Sequence, residues 1–166
     1  MTSEKIKVVF LDRDGVINKE RGEFTWQLED FTINPGLIEA LKELSALGYQ
    51  FIVISNQSGI ARGLYSMEQV EYLHLHLERY LESNGIKLLE IYYCPHHPDF
   101  GKCLCRKPGS LMLEKAIARF NVDLSQSCFV GDAERDREAA LKLGLKAILI
   151  ASNSSLTSVI PQISNK

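Results

Sequence analysis

The sequence predicts an α/β fold, a doubly wound parallel sheet with helices on both faces, in one domain over residues 1–166. Three observations predict it. Short apolar runs rich in Val, Ile, Phe and Tyr alternate with segments of helical period. The apolar runs are nearly continuous, the pattern of strands buried on both faces. The alternation itself argues for strand–helix–strand units rather than for hairpins.

The elements follow in order. Strands are predicted at residues 7–11, 51–55, 90–93, 128–130 and 147–150. A first helix over 36–47 opens after Asn34-Pro35 and stops at Gly48. A second, over 67–82, follows Ser66 with Gln69 three residues on, a capping-box pattern, and ends before Asn84-Gly85. Helices over 111–120 and 134–143 complete the set, the last closed by Gly144. No repeat, low-complexity tract or linker divides the chain.

Composition narrows the function classes. At 166 residues, 45% hydrophobic and 24% charged, the chain suits one ordinary globular core. A net charge of −2 gives no basic footprint, so a nucleic-acid partner is not expected. No apolar run has the length of a membrane span, and the segment 1–7 is polar and unlike a signal peptide. The expectation is a cytoplasmic monomer without a membrane partner, acting on a small molecule.

In a parallel sheet of this kind, ligands collect beyond the carboxyl ends of the strands. Past the first strand stand Asp12-Arg13-Asp14-Gly15, and past the second Ser55-Asn56-Gln57-Ser58-Gly59. The third leads to Cys94 and on to Arg106-Lys107-Pro108; the fourth ends at Gly131-Asp132. Asp-x-Asp-Gly alone is also an ordinary turn. With carboxylates, a hydroxyl and cations at four strand ends, it reads as a site. Asp12 and Asp14 near Asp132 repel unless a cation joins them, which suits a hard ion such as Mg²⁺.

A second constellation is Cys94-Pro95-His96 followed by Cys103-Leu104-Cys105, a loop of about residues 94–105. Three thiols and one imidazole satisfy tetrahedral zinc and leave no open position, so the ion would be structural. A Cys103–Cys105 redox pair and unligated thiols are the rival readings. His97 reads as a surface residue or as support for the ligands. His74 and His76 lie two apart on a helix and do not face each other as a metal pair would. Cys128, alone in an apolar run, reads as a small buried hydrophobe.

Phe10-Leu11-Asp12-Arg13-Asp14-Gly15-Val16 resembles the first motif of the haloacid dehalogenase (HAD) superfamily. Ser55 resembles its second, Lys107 its third, and Gly131-Asp132-Ala133-Glu134-Arg135-Asp136 its fourth. The resemblance implies a Rossmann-like, HAD-like phosphatase, a phosphoric monoester hydrolase. Asp12 would be the nucleophile and Asp14 the general acid and base, with Ser55 and Lys107 on the phosphoryl oxygens. Asp12, Asp14 (through its carbonyl) and Asp132 would hold catalytic Mg²⁺. Asp136 would support the metal or orient Lys107, or simply be an acid in a helix's first turn.

Cys-x-His followed by Cys-x-Cys-Arg-Lys-Pro is similar to one branch of that superfamily, the heptose-bisphosphate and histidinol-phosphate phosphatases. The short stretch between Asp12 and Ser55 leaves no room for a large cap domain. The branch implies substrate contacts at Glu20, Arg21, Gly22, Glu23, Ser55, Asn56, Gln57, Ser58, Arg106 and Lys107. Where the family carries a cation directly after Gly-Asp, this chain has Ala133, with Arg135 or Arg62 as candidate replacements. The implied reaction removes the 7-phosphate of D-glycero-D-manno-heptose 1,7-bisphosphate, a carbohydrate step toward lipopolysaccharide or S-layer heptose. Histidinol phosphate, or another small phosphomonoester, is the nearest alternative. A zinc-stabilised, non-catalytic binding module is the alternative from a different class.

Overall fold

The computed structural model describes residues 3–164; Met1, Thr2 and the last two residues of the expected 1–166 domain lie outside the described residues. All five predicted strands are present: β1 (Val8–Leu11), β2 (Gln50–Asn56), β3 (Leu88–Cys94), β4 (Cys128–Gly131) and β5 (Lys146–Leu149). They pair in parallel in the order β3-β2-β1-β4-β5. β1 is central, with Phe10 level with Ile52 of β2 on one side and Phe129 of β4 on the other.

Alternate residues of these strands feed two cores. Val9, Leu11, Phe51, Val53 and Val130 pack with α1 (Leu37–Ala46), α2 (Met67–Ser83) and the C-terminal helix α5 (Ile160–Ser164). Val8, Phe10, Ile52, Ile54 and Phe129 pack with α3 (Leu111–Phe120) and α4 (Glu134–Leu141). This period of two, read on both faces, is why the strands are apolar throughout. The predicted capping box of α2 forms: Ser66 Oγ accepts from the Gln69 amide at 3.2 Å, and Gln69 Oε1 from the Ser66 amide at 2.9 Å.

Burial on both faces holds for β1, β2 and β4 but not for the other two. β3 is half-buried through its middle, and Lys146 and Leu149 of β5 are exposed. Both are edge strands, and an apolar run does not reveal how many neighbours a strand will have. Three short 3-10 turns, at Leu28–Asp30, Pro98–Phe100 and Leu156–Val159, have no counterpart among the predicted elements; they are too short to show a period.

The order of the strands fixes where a ligand can enter. From β1 the chain steps outward through β2 to β3, then crosses back to β4 on the other side of β1. The connections of β1 and β4 therefore leave toward opposite faces, opening a crevice at their carboxyl ends. Between β1 and β2 the chain forms only a 3-10 turn and α1, so no cap domain is inserted there. No helix among the described residues is long and apolar enough to cross a membrane.

Candidate active site

β1 delivers Asp12, and β4 delivers Asp132, to the two sides of that crevice. The Asp12 amide donates to the Val130 carbonyl at 3.0 Å, carrying the ladder one residue past β1. Gly15 then turns with φ of +89°, and a Cβ there would overlap the Asp132 carboxylate. Only glycine lets the backbone pass so close in that conformation. Carboxylate oxygens of Asp12, Asp132 and Asp136 lie within 4.8 Å of one another.

One cation stands among them. Lys107 is 1% exposed and directs Nζ to Asp12 Oδ1 at 2.9 Å, Asp136 Oδ1 at 2.7 Å and the Ile54 carbonyl at 2.9 Å. Burial works against its charge, but Asp12 and Asp136 hold its pKa above the ordinary lysine value. Burial, opposed by Lys107 and reinforced by Asp136 and Asp132, pushes the Asp12 carboxyl up to about 8. Were all three ionised against one ammonium, negative charge would be in excess, which burial makes costly and which the raised Asp12 pKa reflects. A divalent cation fits that deficit, and the donors are all oxygen, as a hard ion requires. Asp136 is less available to it. Its Oδ2 accepts from the Asp132 and Ala133 amides, both at 3.2 Å, while Oδ1 faces Lys107.

Asp14 is held differently. Its Oδ1 accepts from Arg13 Nη2 at 2.8 Å and Asn18 Nδ2 at 2.9 Å, and its Oδ2 from Gln57 Nε2 at 3.1 Å. Burial opposes its ionisation, yet Arg13, Asn18 and Gln57 together bring its pKa below the usual value. Gln57 Nε2 also donates to Ser55 Oγ at 2.8 Å, and its Oε1 accepts from Tyr65 at 2.9 Å. Ser55 thus keeps its own proton to give.

A cleft of about 740 Å³ opens beside Asp14. Of the substrate contacts expected from sequence, Glu20, Gly22, Glu23, Asn56, Ser58 and Arg106 line it. Arg21, Ser55, Gln57 and Lys107 do not. Arg21 pairs with Asp30 at 3.1 Å and Glu23 at 3.7 Å. Ser55, Gln57 and Lys107 are buried beneath the surface. Asn56 also has a second role, since its amide clasps the Lys107 backbone: Nδ2 donates to the carbonyl at 3.1 Å and Oδ1 accepts from the amide at 2.9 Å.

Sequence reasoning missed the aromatic wall. Phe24, Thr25, Trp26 and Leu64 also line the cleft, with Trp26 stacked on Tyr65 at 6.0 Å between centroids. The available signal was two aromatics in a loop, outside any strand or helix pattern. Of the two candidate replacements for the cation missing at Ala133, Arg135 lines the cleft, whereas Arg62 faces Asp99 at 4.0 Å. Arg106 Nη1 is buried without a protein partner among the described residues, so it has a hydrogen bond to offer.

The Cys/His loop closes on itself. Cys94, His96, Cys103 and Cys105 present ligand atoms within 4.8 Å of one another, and all four cysteines of the chain are free. Cys94 Sγ lies 3.8 Å from Cys103 Sγ and 3.0 Å from Cys105 Sγ; His96 Nδ1 lies 3.3 and 3.1 Å from Cys94 and Cys105. Ligands about 2.0–2.3 Å from one zinc ion stand about 3.3–3.8 Å apart, close to these values. Burial pushes the Cys94 thiol up, a cost that a bound cation reverses. The Arg106 amide donates to Cys103 Sγ at 3.4 Å, linking the cluster to the cleft. His97 stands outside it, its Nδ1 accepting from the Asp99 amide at 3.1 Å. Cys128 is buried in the core beside β1.

The chain is similar to known proteins over most of its length. Residues 104–163 match the HAD-like hydrolase family model, Hydrolase_like. The D-glycero-alpha-D-manno-heptose-1,7-bisphosphate 7-phosphatase of Photorhabdus laumondii is 40% identical over 164 residues, covering 95% of this chain and 89% of that protein. The beta-named 7-phosphatase of the same organism is 38% identical, covering 98% and 90%. Among solved structures, the D,D-heptose 1,7-bisphosphate phosphatase of B. bronchiseptica, complexed with magnesium and phosphate, superimposes with a TM-score of 0.81. It is 35% identical, with 87% of this chain and 80% of that one covered. With the strand-end carboxylates, the buried lysine and relatives aligned nearly end to end, the chain belongs to the HAD-like phosphatases, phosphoric monoester hydrolases, in the family of these heptose-bisphosphate 7-phosphatases.

Proposed function

We propose that this chain removes the 7-phosphate of D-glycero-D-manno-heptose 1,7-bisphosphate through an aspartyl-phosphate on Asp12, with Mg²⁺ as cofactor and zinc in the Cys/His loop. The observation that carries the chemistry is the cluster of Asp12, Asp132 and Asp136, with Lys107 held between Asp12 and Asp136, beside the cleft that Asp14 lines. Support for the substrate is the pair of arginines lining that cleft, Arg106 and Arg135, beside Glu20 and Glu23. Arginines suit a second phosphate and the acids suit sugar hydroxyls.

Asp12, Asp132 and the Asp14 carbonyl would hold Mg²⁺, which when bound offsets the charge on the transferring group. The two contacts of Asp12, from the Arg13 amide and Lys107, fall on Oδ1, leaving Oδ2 to attack phosphorus. Once Asp12 carries the phosphoryl group as a mixed anhydride, the charge of its own carboxylate is gone. Lys107 then loses the stronger part of that bond, and one of its three N–H groups can turn to a phosphoryl oxygen. Ser55 donates its hydroxyl proton to another. Asp14, on the cleft side, protonates the leaving alkoxide and then takes the proton of the attacking water. The dianionic phosphate group of the substrate, arriving beside it, raises its pKa again by repulsion, which suits the first of these steps.

The test is a comparison of kcat/KM for the heptose bisphosphate and histidinol phosphate with Mg²⁺ present. The expected ratio favours the bisphosphate strongly. A ratio favouring histidinol phosphate contradicts the substrate and leaves the chemistry standing, whereas activity toward neither, nor toward the generic phosphomonoester 4-nitrophenyl phosphate, supports the non-catalytic module instead.

A further inference from the structure

Among the described residues Arg13 is the largest side chain with no exposure, and phosphoryl transfer through Asp12 gives it no step. A guanidinium so buried needs acceptors on each side of its planar fork. It has them. Nε and Nη2 donate to Asp14 Oδ1 at 3.3 and 2.8 Å, and Nη2 also donates to the Thr25 carbonyl at 2.6 Å. Nη1 lies 3.2 Å from His74 Nε2. A guanidinium has no lone pair to offer, so His74 is the acceptor and carries its ring proton on Nδ1.

His74 reaches this contact from α2, 61 positions along the chain, with only 5% of its surface exposed. Its ring packs edge-on to Tyr93 at 5.5 Å. Burial, and then the neighbouring Arg13, bring its pKa down to about 3, so it remains neutral and able to accept at physiological pH. The charge of Arg13 is already balanced by Asp14. What His74 adds is direction, because the fork is rigid: any rotation that finds Nη1 another partner also moves Nε and Nη2 away from Asp14.

We infer that His74 is a positioning residue for Asp14, acting through Arg13 to fix the carboxylate that exchanges protons with the leaving group and the water. This rests on the reading of Asp14 as general acid and base. It also explains why a cleft-lining loop is included, since the same Nη2 pins Thr25.

The test uses leaving groups. Proton donation matters greatly for a sugar alkoxide and little for 4-nitrophenolate. His74→Met keeps the bulk and removes the acceptor; His74→Gln keeps an acceptor. On the sugar phosphate, His74→Met should lower kcat about tenfold to a hundredfold with KM unchanged. Single-turnover phosphoryl transfer from 4-nitrophenyl phosphate should stay within about twofold, and His74→Gln should recover most of the loss. Equal kcat for the two variants, or equal losses on both substrates, overturns the inference. Should His74→Met fail to fold, Arg13→Lys, which keeps the charge and loses the fork, carries the same comparison; a loss independent of leaving group again overturns it. Asp14→Asn is the control. If that variant shows no leaving-group dependence, the reading of Asp14 fails, whereas a dependence there that is missing in His74→Met rejects only the role of His74.

Discussion

Asp12 and His74 are both buried and both shifted in pKa, but only one is legible as a functional side chain in the sequence. Asp12 stands at the end of an apolar run, and the polar residues that end three other such runs lift its Asp-x-Asp-Gly above an ordinary turn. His74 lies on an amphipathic helix, and its spacing from His76 rules out a shared metal without revealing the arginine it meets. A contact between residues 61 apart is invisible to any local pattern. The burial of His74 has a consequence for stability. Its folded pKa of about 3 lies below the ordinary 6.5, so between those values the unfolded chain binds a proton that the folded chain refuses. Stability is therefore lost as pH falls through this window, by up to about 1.4 kcal/mol per pH unit. Denaturant titrations at pH 7 and pH 5 should show a smaller loss for His74→Gln than for the parent chain.

At the scale of elements, the loop between β3 and α3 carries both the Cys/His cluster and the two cations Arg106 and Lys107. Its thiols are readable because their spacing is a metal pattern; its fastening to β2 is not, since the Asn56 side chain at the end of that strand grips only the backbone of Lys107. Asn56, expected to face substrate, lines the cleft while spending its amide on Lys107. Zinc loss should thus be felt at Lys107. Cys105→Ser should lose bound metal, measured by elemental analysis as a fall from about one zinc per chain. With Mg²⁺ supplied, its kcat/KM should drop about tenfold or more. The strands are legible as strands, but the edge position of β3 and β5 is not, because partner number is set by topology rather than by composition.

For the whole molecule, the doubly wound sheet explains why residues from four separated segments meet. The crossing back from β3 to β4 opens the crevice between β1 and β4, and the strand ends supply its chemistry. That much is readable from the alternation of elements and from the polar residues that end each apolar run. The shape of the cleft is not: Trp26, Phe24 and Leu64 sit in irregular segments, where no period predicts direction. Arg135 is the clearest case for substrate choice, since it lines the cleft in a chain with Ala133 after Gly-Asp. A charge-assisted hydrogen bond is worth about 1.5–3 kcal/mol. Arg135→Ala should therefore raise KM for the bisphosphate about tenfold or more while changing that for a monophosphate little, as steady-state kinetics on both would show.

All of this chemistry depends on a phosphoryl group carried on Asp12. The sharpest experiment is acid quenching of the Asp14→Asn variant during turnover of 4-nitrophenyl phosphate, whose leaving group needs no acid, with Mg²⁺ present and peptide mass spectrometry of the quenched protein. An acid-stable, base-labile phosphoryl group is expected on the peptide containing Asp12, lost when Asp12 is also changed to Asn. Phosphate release at an undiminished rate from Asp12→Asn, with no labelled peptide from either chain, would contradict it.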